Sequence, residues 1–300
     1  MGRIYLPRTQ RRWDLTRCAR VTRNTAHMRP RLDAGDYAYL DHPGPLAFAH
    51  RGGTGYEDTA GPGGGGLENS MAAFQAAIDL GYRYLETDVQ VTADGAVVAF
   101  HDPSLERTTD GTGNVADLRY DDLRRYLIGG RETIPLLEDL LQTWPQARLN
   151  IDVKVRGAID PVVRVVRRHS AEERVCFASF SERRIRRVRR LLGPGVATAY
   201  GPLGIAALRT VPIGALRRRL LSAPVPCLQV PWRMRRLEVV TPGFVARAHA
   251  LGKHVHVWTV DDPDDMRTLL DRSVDGLISD RIDTLRDVLV ERGQWVDARS

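Results

Sequence analysis

The sequence is almost without lysine: Lys154 and Lys253 are the only two, and every other basic side chain is an arginine. It is also poor in cysteine. Cys18, Cys176 and Cys227 are odd in number and far apart, which excludes a full disulfide framework and offers no zinc-ligand spacing. No apolar run approaches the roughly 18 residues that a membrane-spanning helix needs. The first forty residues hold arginines at positions 3, 8, 11, 12, 17, 20, 23, 29 and 31, but no continuous apolar segment of the kind a secretory signal requires follows them. The chain therefore reads as cytoplasmic and reducing, with peripheral association at an anionic membrane surface left open. Aromatic interleaving and nucleic-acid motifs are lacking as well, so nucleic acid is not an expected partner.

What is present is a chain of 300 residues, 43% hydrophobic, with formal net charge +7. That length suits one α/β barrel of about 250 residues with an appendage, and the charge favours anionic partners such as phosphate esters. Residues 1–44 form a basic amino-terminal extension that ends in the turn-rich DHPGP; the barrel is expected over 45–295. Strands are read at 46–50, 84–89, 148–154, 175–180, 197–200, 227–232, 254–260 and 276–280, with amphipathic helices between them. Eight strands alternating with helices predict a (β/α)8 TIM barrel.

A ninth run, VVAFHD, follows the second strand too closely for a parallel crossover, so it returns as a hairpin. A two-residue turn at Asp94-Gly95 places Asp88 opposite His101. Residues 103–147 hold an insertion at the barrel mouth. The stretch 204–226 alternates apolar and arginine-rich patches; it reads as a solvated helix with a core-facing stripe, with a membrane-surface role as the alternative.

Barrel active sites gather at the carboxyl ends of the strands. There the first strand ends in His50-Arg51, the second bears Glu86 and Asp88, and the third bears Asp152 and Lys154. Period-two spacing puts each of the last two pairs on one face. Three carboxylates suit a hard divalent cation, Mg2+ or Ca2+. Arg51 and Lys154 beside them select an anion that bridges the ion, above all a phosphodiester. Two histidines then serve as general base and general acid.

Taken together, AHRGG, LENSMAAFQAAIDLGYRYLETDVQVTADGAVVAFHDPSLERTTDGTGNV, IPLLEDLL, LNIDVK, VWTVDD and VDGLISD resemble the glycerophosphodiester phosphodiesterases over residues 46 to about 290. The resemblance implies His50 and His101 as the catalytic pair, Glu86, Asp88 and Asp152 as ligands of one divalent cation, and Arg51 and Lys154 as phosphate contacts. It also implies Trp258 in the pocket wall and the insertion as a small capping subdomain. The substrate expected is a small-molecule glycerophosphodiester, cleaved to glycerol 3-phosphate and an alcohol. A lysophospholipase D-like enzyme acting at a membrane, or a non-catalytic anion-binding barrel, are the alternatives. Asp152 stands where the family usually has Glu, and the 53–67 loop is longer and richer in glycine than usual. Glu68 is read as either a site residue behind the ligands or scaffold. Arg107, Asp110 and Gly111 are read as holding the insertion's turns, and His254 and His256 as packed residues.

Overall fold

The computed structural model describes residues 32–55, 66–235 and 237–299. The arginines of residues 1–31 and most of the glycine-rich loop lie outside them. Eight parallel strands close on themselves: β1 (Leu46–His50), β2 (Tyr84–Val91), β6 (Arg148–Val153), β7 (Val175–Ala178), β8 (Ala197–Tyr200), β9 (Cys227–Pro231), β12 (His254–Trp258) and β13 (Gly276–Ser279). Each pairs with the next, and β13 and β2 both flank β1, so the sheet has no parallel edge left. The fold is the expected (β/α)8 barrel, and all eight expected strands are present.

The helices outside the barrel follow from local sequence. On α1 (Met71–Asp79), Ser70 Oγ accepts the Ala73 N–H at 3.1 Å, and on α8 (Pro242–His249) Thr241 does the same for Phe244 at 3.2 Å. Asp262 caps α9 (Pro263–Asp271) through the N–H groups of Asp264 and Asp265. These side chains satisfy donors that the first helical turn leaves unpaired. Arginine-rich α5 (Glu182–Leu192) still buries Ile185 and Val188, three residues apart, while Arg183, Arg186 and Arg190 are exposed and Arg189 turns in to donate to Thr198 Oγ1 at 3.1 Å. α3 (Leu137–Thr143), α4 (Ile159–Arg168), α6 (Pro202–Thr210) and α10 (Ile282–Glu291) cover further faces. Helix α7 (Gly214–Leu220) buries none of its residues, so the core-facing stripe expected of 204–226 is interrupted there and resumes at Leu221 and Val225. Among the described residues no helix is long and apolar enough to cross a membrane.

The hairpin strand β3 (Val97–Ala99) pairs antiparallel with β2, but its register differs from the expectation by one residue. Val89 faces Ala99 and Val91 faces Val97. Thr92 N–H reaches the Ala96 carbonyl at 3.0 Å across a loop of three residues, with Gly95 at φ +84°. A left-handed glycine ending such a loop adds one residue to the connection. Phe100, not His101, therefore lies opposite Asp88, to whose carbonyl it donates at 2.9 Å. The insertion that follows contains α2 (Tyr120–Leu123) and the short pair β4 (Leu127–Ile128) and β5 (Glu132–Thr133), built around its own apolar cluster of Leu105, Val115, Leu123, Ile128 and Ile134. A second short pair, β10 (Arg233–Met234) and β11 (Leu237–Glu238), projects directly after β9.

The amino-terminal end of the barrel is plugged. Tyr39, from the segment before β1, packs with Phe48, Tyr84, Cys176 and Cys227 inside the barrel. Arg148 is buried there and donates to the carbonyls of Tyr39 and Asp41 and to the Tyr84 hydroxyl at 2.9, 2.8 and 2.7 Å. The Tyr84 hydroxyl in turn donates to the Tyr39 carbonyl at 2.8 Å. Replacing Arg148 by Met leaves the Asp41 carbonyl without this donor and the Tyr39 carbonyl with the Tyr84 hydroxyl alone, which costs about 1–3 kcal/mol. Urea denaturation of Arg148→Met measures that loss; a change within about 0.5 kcal/mol, the range of ordinary surface substitutions, contradicts the plug.

Candidate active site

Parallel pairing fixes which side chains meet at the mouth. In the β1–β2 ladder His50 is the partner of Glu86, and in the β2–β6 ladder Asp88 is the partner of Asp152. The alternation along β2 turns Glu86 and Asp88 inward, while Leu85 and Val89 join the outer core between barrel and helices. His50, Arg51, Glu86, Asp88, His101, Asp152, Lys154 and Trp258 all line one cleft of about 850 Å3 at the carboxyl end of the barrel. Glu68 does not line it. It accepts from Arg51 Nη1 at 3.2 Å and from Arg107 Nη1 and Nη2 at 2.9 and 2.5 Å.

Asp88 is the most enclosed of the acids. Lys154 Nζ lies 2.8 Å from its Oδ1, and Arg51 Nε lies 3.0 Å from its Oδ2. Burial pushes the Asp88 carboxyl up, but Lys154 and Arg51 outweigh it and hold it below the ordinary carboxylate range. Glu86, two residues earlier, has no such pair. Burial, reinforced by the neighbouring charge of Asp88, pushes it up to about 8. Asp152 is likewise raised by burial, because Lys154 reaches only its Oδ2, at 2.8 Å; its Oδ1 is buried with no hydrogen-bond partner. The same two carboxylates raise Lys154 against the opposing effect of burial.

To bring Arg51 here the chain must reverse sharply after β1. Arg51, Gly52 and Gly53 have φ of +52°, +90° and +93° in succession. At Gly52 the position of a Cβ falls 2.7 Å from Ala73 Cβ on α1, so only glycine fits between strand and helix.

Each histidine has one ring nitrogen tied down. His50 Nδ1 lies 2.8 Å from Asp280 Oδ1, and its Nε2 lies 3.8 Å from Glu86 Oε2. Burial depresses His50, but the Asp280 hydrogen bond and Glu86 outweigh it and raise its pKa above the ordinary imidazole value. Asp280, itself also held by Thr54 Oγ1 at 2.7 Å, ends the last barrel strand in the GLISD motif. Sequence reasoning did not single it out as a site residue, although its place at a strand's carboxyl end was a signal. His101 Nδ1 lies 2.5 Å from Asp102 Oδ1, and Arg107 Nε reaches Asp102 Oδ2 at 2.5 Å. Arg107 therefore does more than hold a turn: it links His101, through Asp102, to Glu68 and Arg51. Asp110 does hold a turn, accepting the Leu127 N–H at 2.7 Å.

Below the acids, Asn150 and Gln229 exchange amide hydrogen bonds at 2.9 and 3.3 Å and form the polar floor of the cleft. Trp258 stands in its wall, edge to face with Phe180 at 5.9 Å between centroids. His254 and His256 do not line the cleft; His256 is fully buried, and burial keeps it well below the ordinary imidazole range. Among the described residues no group of three or more histidine, cysteine, aspartate or glutamate side chains is arranged to enclose a metal ion. The expected ligand set is instead interrupted by Lys154, which sits between Asp88 and Asp152. The donor chemistry nevertheless fits a hard cation, because Asp152 Oδ1 is buried with no hydrogen-bond partner and Glu86 meets only the Arg51 N–H at 3.2 Å and His50 Nε2 at 3.8 Å.

The model of the glycerophosphoryl diester phosphodiesterase family matches residues 50–284. A Mycobacterium tuberculosis protein named "Probable glycerophosphodiester phosphodiesterase 2" is 45% identical over 260 residues, spanning 86% of this chain and 95% of that protein. Human lysophospholipase D GDPD1 is 26% identical over 276 residues, 81% of this chain and 85% of that one. A solved Silicibacter pomeroyi structure aligns with a TM-score of 0.72 and 25% identity over 87% of this chain and 100% of its own. An Oleispira antarctica phosphodiesterase, solved in complex with the product sn-glycerol-3-phosphate, aligns with a TM-score of 0.68 and 24% identity over 82% and 97%.

Because Asp280 is the group that raises His50, Asp280→Asn moves the His50 titration to lower pH, as followed by imidazole proton NMR. A His50 titration unchanged in this variant contradicts the pairing.

Proposed function

The chain belongs to the glycerophosphoryl diester phosphodiesterase family, and from that premise we propose that it hydrolyses glycerophosphodiesters to glycerol 3-phosphate and an alcohol, with His50 and His101 as its proton-transfer pair and one divalent cation, Mg2+ or Ca2+. The observation that carries this reading is the convergence of both histidines, three carboxylates, Arg51 and Lys154 on one cleft. Glu86, Asp88 and Asp152 are the residues that would hold the cation. Once bound, it would supply Lewis-acid polarisation of the phosphoryl oxygens and positive charge beside Glu86 and the free Oδ1 of Asp152.

Arg51 and Lys154 give the cleft a fixed positive field for the phosphate. With Nδ1 of each imidazole turned to an aspartate, Nε2 is the atom each presents to the substrate. One imidazole withdraws the proton of the attacking oxygen and the other delivers a proton to the leaving alkoxide. Asp280 and Asp102 hold the rings in the orientation and tautomer that this exchange requires. The network from Asp102 through Arg107 and Glu68 to Arg51 keeps the second histidine in register with the phosphate contacts.

Chelator-treated protein is expected to cleave glycerophosphocholine only after titration with Mg2+ or Ca2+; cleavage that is indifferent to chelation removes the cation from the proposal. His101→Ala is expected to lower turnover by about 100-fold or more while leaving cation binding, measured by calorimetry, within about twofold. Loss of both in proportion makes His101 a ligand rather than a proton carrier.

A further inference from the structure

The cleft has two unlike sides. One bears the charged residues described above; the other is walled by Phe180, Tyr200, Ile205, Met234, Leu237 and Trp258. That apolar wall continues onto the outer surface. Nine large hydrophobic side chains stand exposed among the described residues, and seven of them are Phe180, Leu203, Ile213, Leu216, Leu220, Met234 and Leu237. Phe180, Met234 and Leu237 line the cleft itself, as do Ile205 and Arg209 of α6. Leu203 is on that same helix, and α7, with Ile213 at its start and Leu216 and Leu220 along it, packs against α6. Ile213, for example, is 62% exposed where a core helix would bury it. Scattered exposed apolar residues need no explanation, but a contiguous set marks an interaction surface.

The same stretch is strongly cationic. From Gly201 to Val240 there are seven arginines and one acid, Glu238. Glu238 is taken by Arg272, and Arg217, Arg218 and Arg219 have no carboxylate at ion-pair distance among the described residues. Arg247 is held below the ordinary guanidinium range by burial and by the nearby charges of Arg217 and Arg209, the mark of cations gathered without a counter-anion. Exposed Leu and Ile interleaved with unpaired arginines match an interface that is apolar within and anionic at its headgroups.

We propose that α6, α7 and the β10–β11 hairpin form a docking surface for an anionic phospholipid bilayer. The apolar side chains enter the headgroup boundary and the arginines pair with lipid phosphates. Because Phe180, Met234 and Leu237 belong to both the rim and the cleft wall, a lipid phosphodiester leaving the bilayer keeps its acyl chain on apolar surface while its phosphate reaches Arg51 and Lys154. This last step rests on the phosphodiesterase reading; the docking does not.

Co-sedimentation of the full chain with vesicles of phosphatidylcholine plus phosphatidylglycerol, against phosphatidylcholine alone, tests it. Wild-type protein is expected to sediment with the anionic vesicles and to be released by high salt. Ile213→Ser with Leu216→Ser and Leu220→Ser, and separately Arg218→Gln with Arg219→Gln, are each expected to weaken binding about tenfold. Thermal melting and hydrolysis of soluble glycerophosphocholine are expected to stay unchanged in both variants, since these residues lie outside the reacting groups. Wild-type protein that stays in the supernatant, or variants that bind as well as it does, overturn the proposal. A wild type that elutes as a dimer and a serine variant that elutes as a monomer also overturn it, by assigning the rim to a second copy of the chain. If no phosphodiester is cleaved under any condition, the reaction fails while the sedimentation result still decides the docking.

Discussion

The architecture of the mouth depends on one buried carboxylate held between two cations. Asp88 is buried and remains ionised because Lys154 stands 2.8 Å away on one oxygen and Arg51 3.0 Å away on the other. A buried charge is tolerated only when its partners are placed well enough to offset lost hydration. Here the partners come from different elements. Lys154 extends just past β6 and Arg51 just past β1, on either side of β2. The clamp therefore ties three neighbouring strands together where the barrel opens. Arg51 also passes the constraint on, through Glu68 and Arg107, to Asp102 and His101. The left-handed backbone of Arg51 and the two glycines after it is the local conformation that makes this reach achievable.

Two residues along the same strand, the opposite balance holds. Glu86 is also buried but has only the Arg51 N–H at 3.2 Å and His50 Nε2 at 3.8 Å beside it, and its carboxyl rises to about 8. Neighbouring acids of one strand are thus driven apart in proton affinity by what stands beside them, the pattern found where carboxylates serve chemistry rather than stability. The unpaired Asp152 Oδ1 belongs to the same deficit of positive charge. Shortening this residue to Asp leaves the strand register intact, since Asp152 remains the partner of Asp88.

The far side of the cleft obeys a different rule. Beside it α7, which packs against α6, sets Arg217, Arg218 and Arg219 between Leu216 and Leu220 and buries none of them. A helix that covers no core derives little stability from its own short length. Polar and apolar walls meeting in one cleft give the mouth a direction, with charge converging on the β1–β2–β6 side and apolar surface on the β7–β9 side.

The sequence by itself determined the eight strands, the shared face of Glu86 and Asp88 and of Asp152 and Lys154, and most of the charged residues at the strand ends, because alternation with period two is a local property that residue order alone displays. The hairpin register slipped by one, since whether Gly95 ends a two- or three-residue loop depends on a backbone angle that composition does not reveal. Asp280 escaped notice for another reason. It lies 230 residues from His50 along the chain, and only closure of β13 against β1 brings the two to 2.8 Å. The roles of Arg107 and Glu68 were hidden in the same way, for their ion pair joins the insertion to the segment before α1. Which acid is clamped by cations and which is left without a partner was decided only in three dimensions, because the energy of a buried charge depends on neighbours that chain closure, not residue order, supplies.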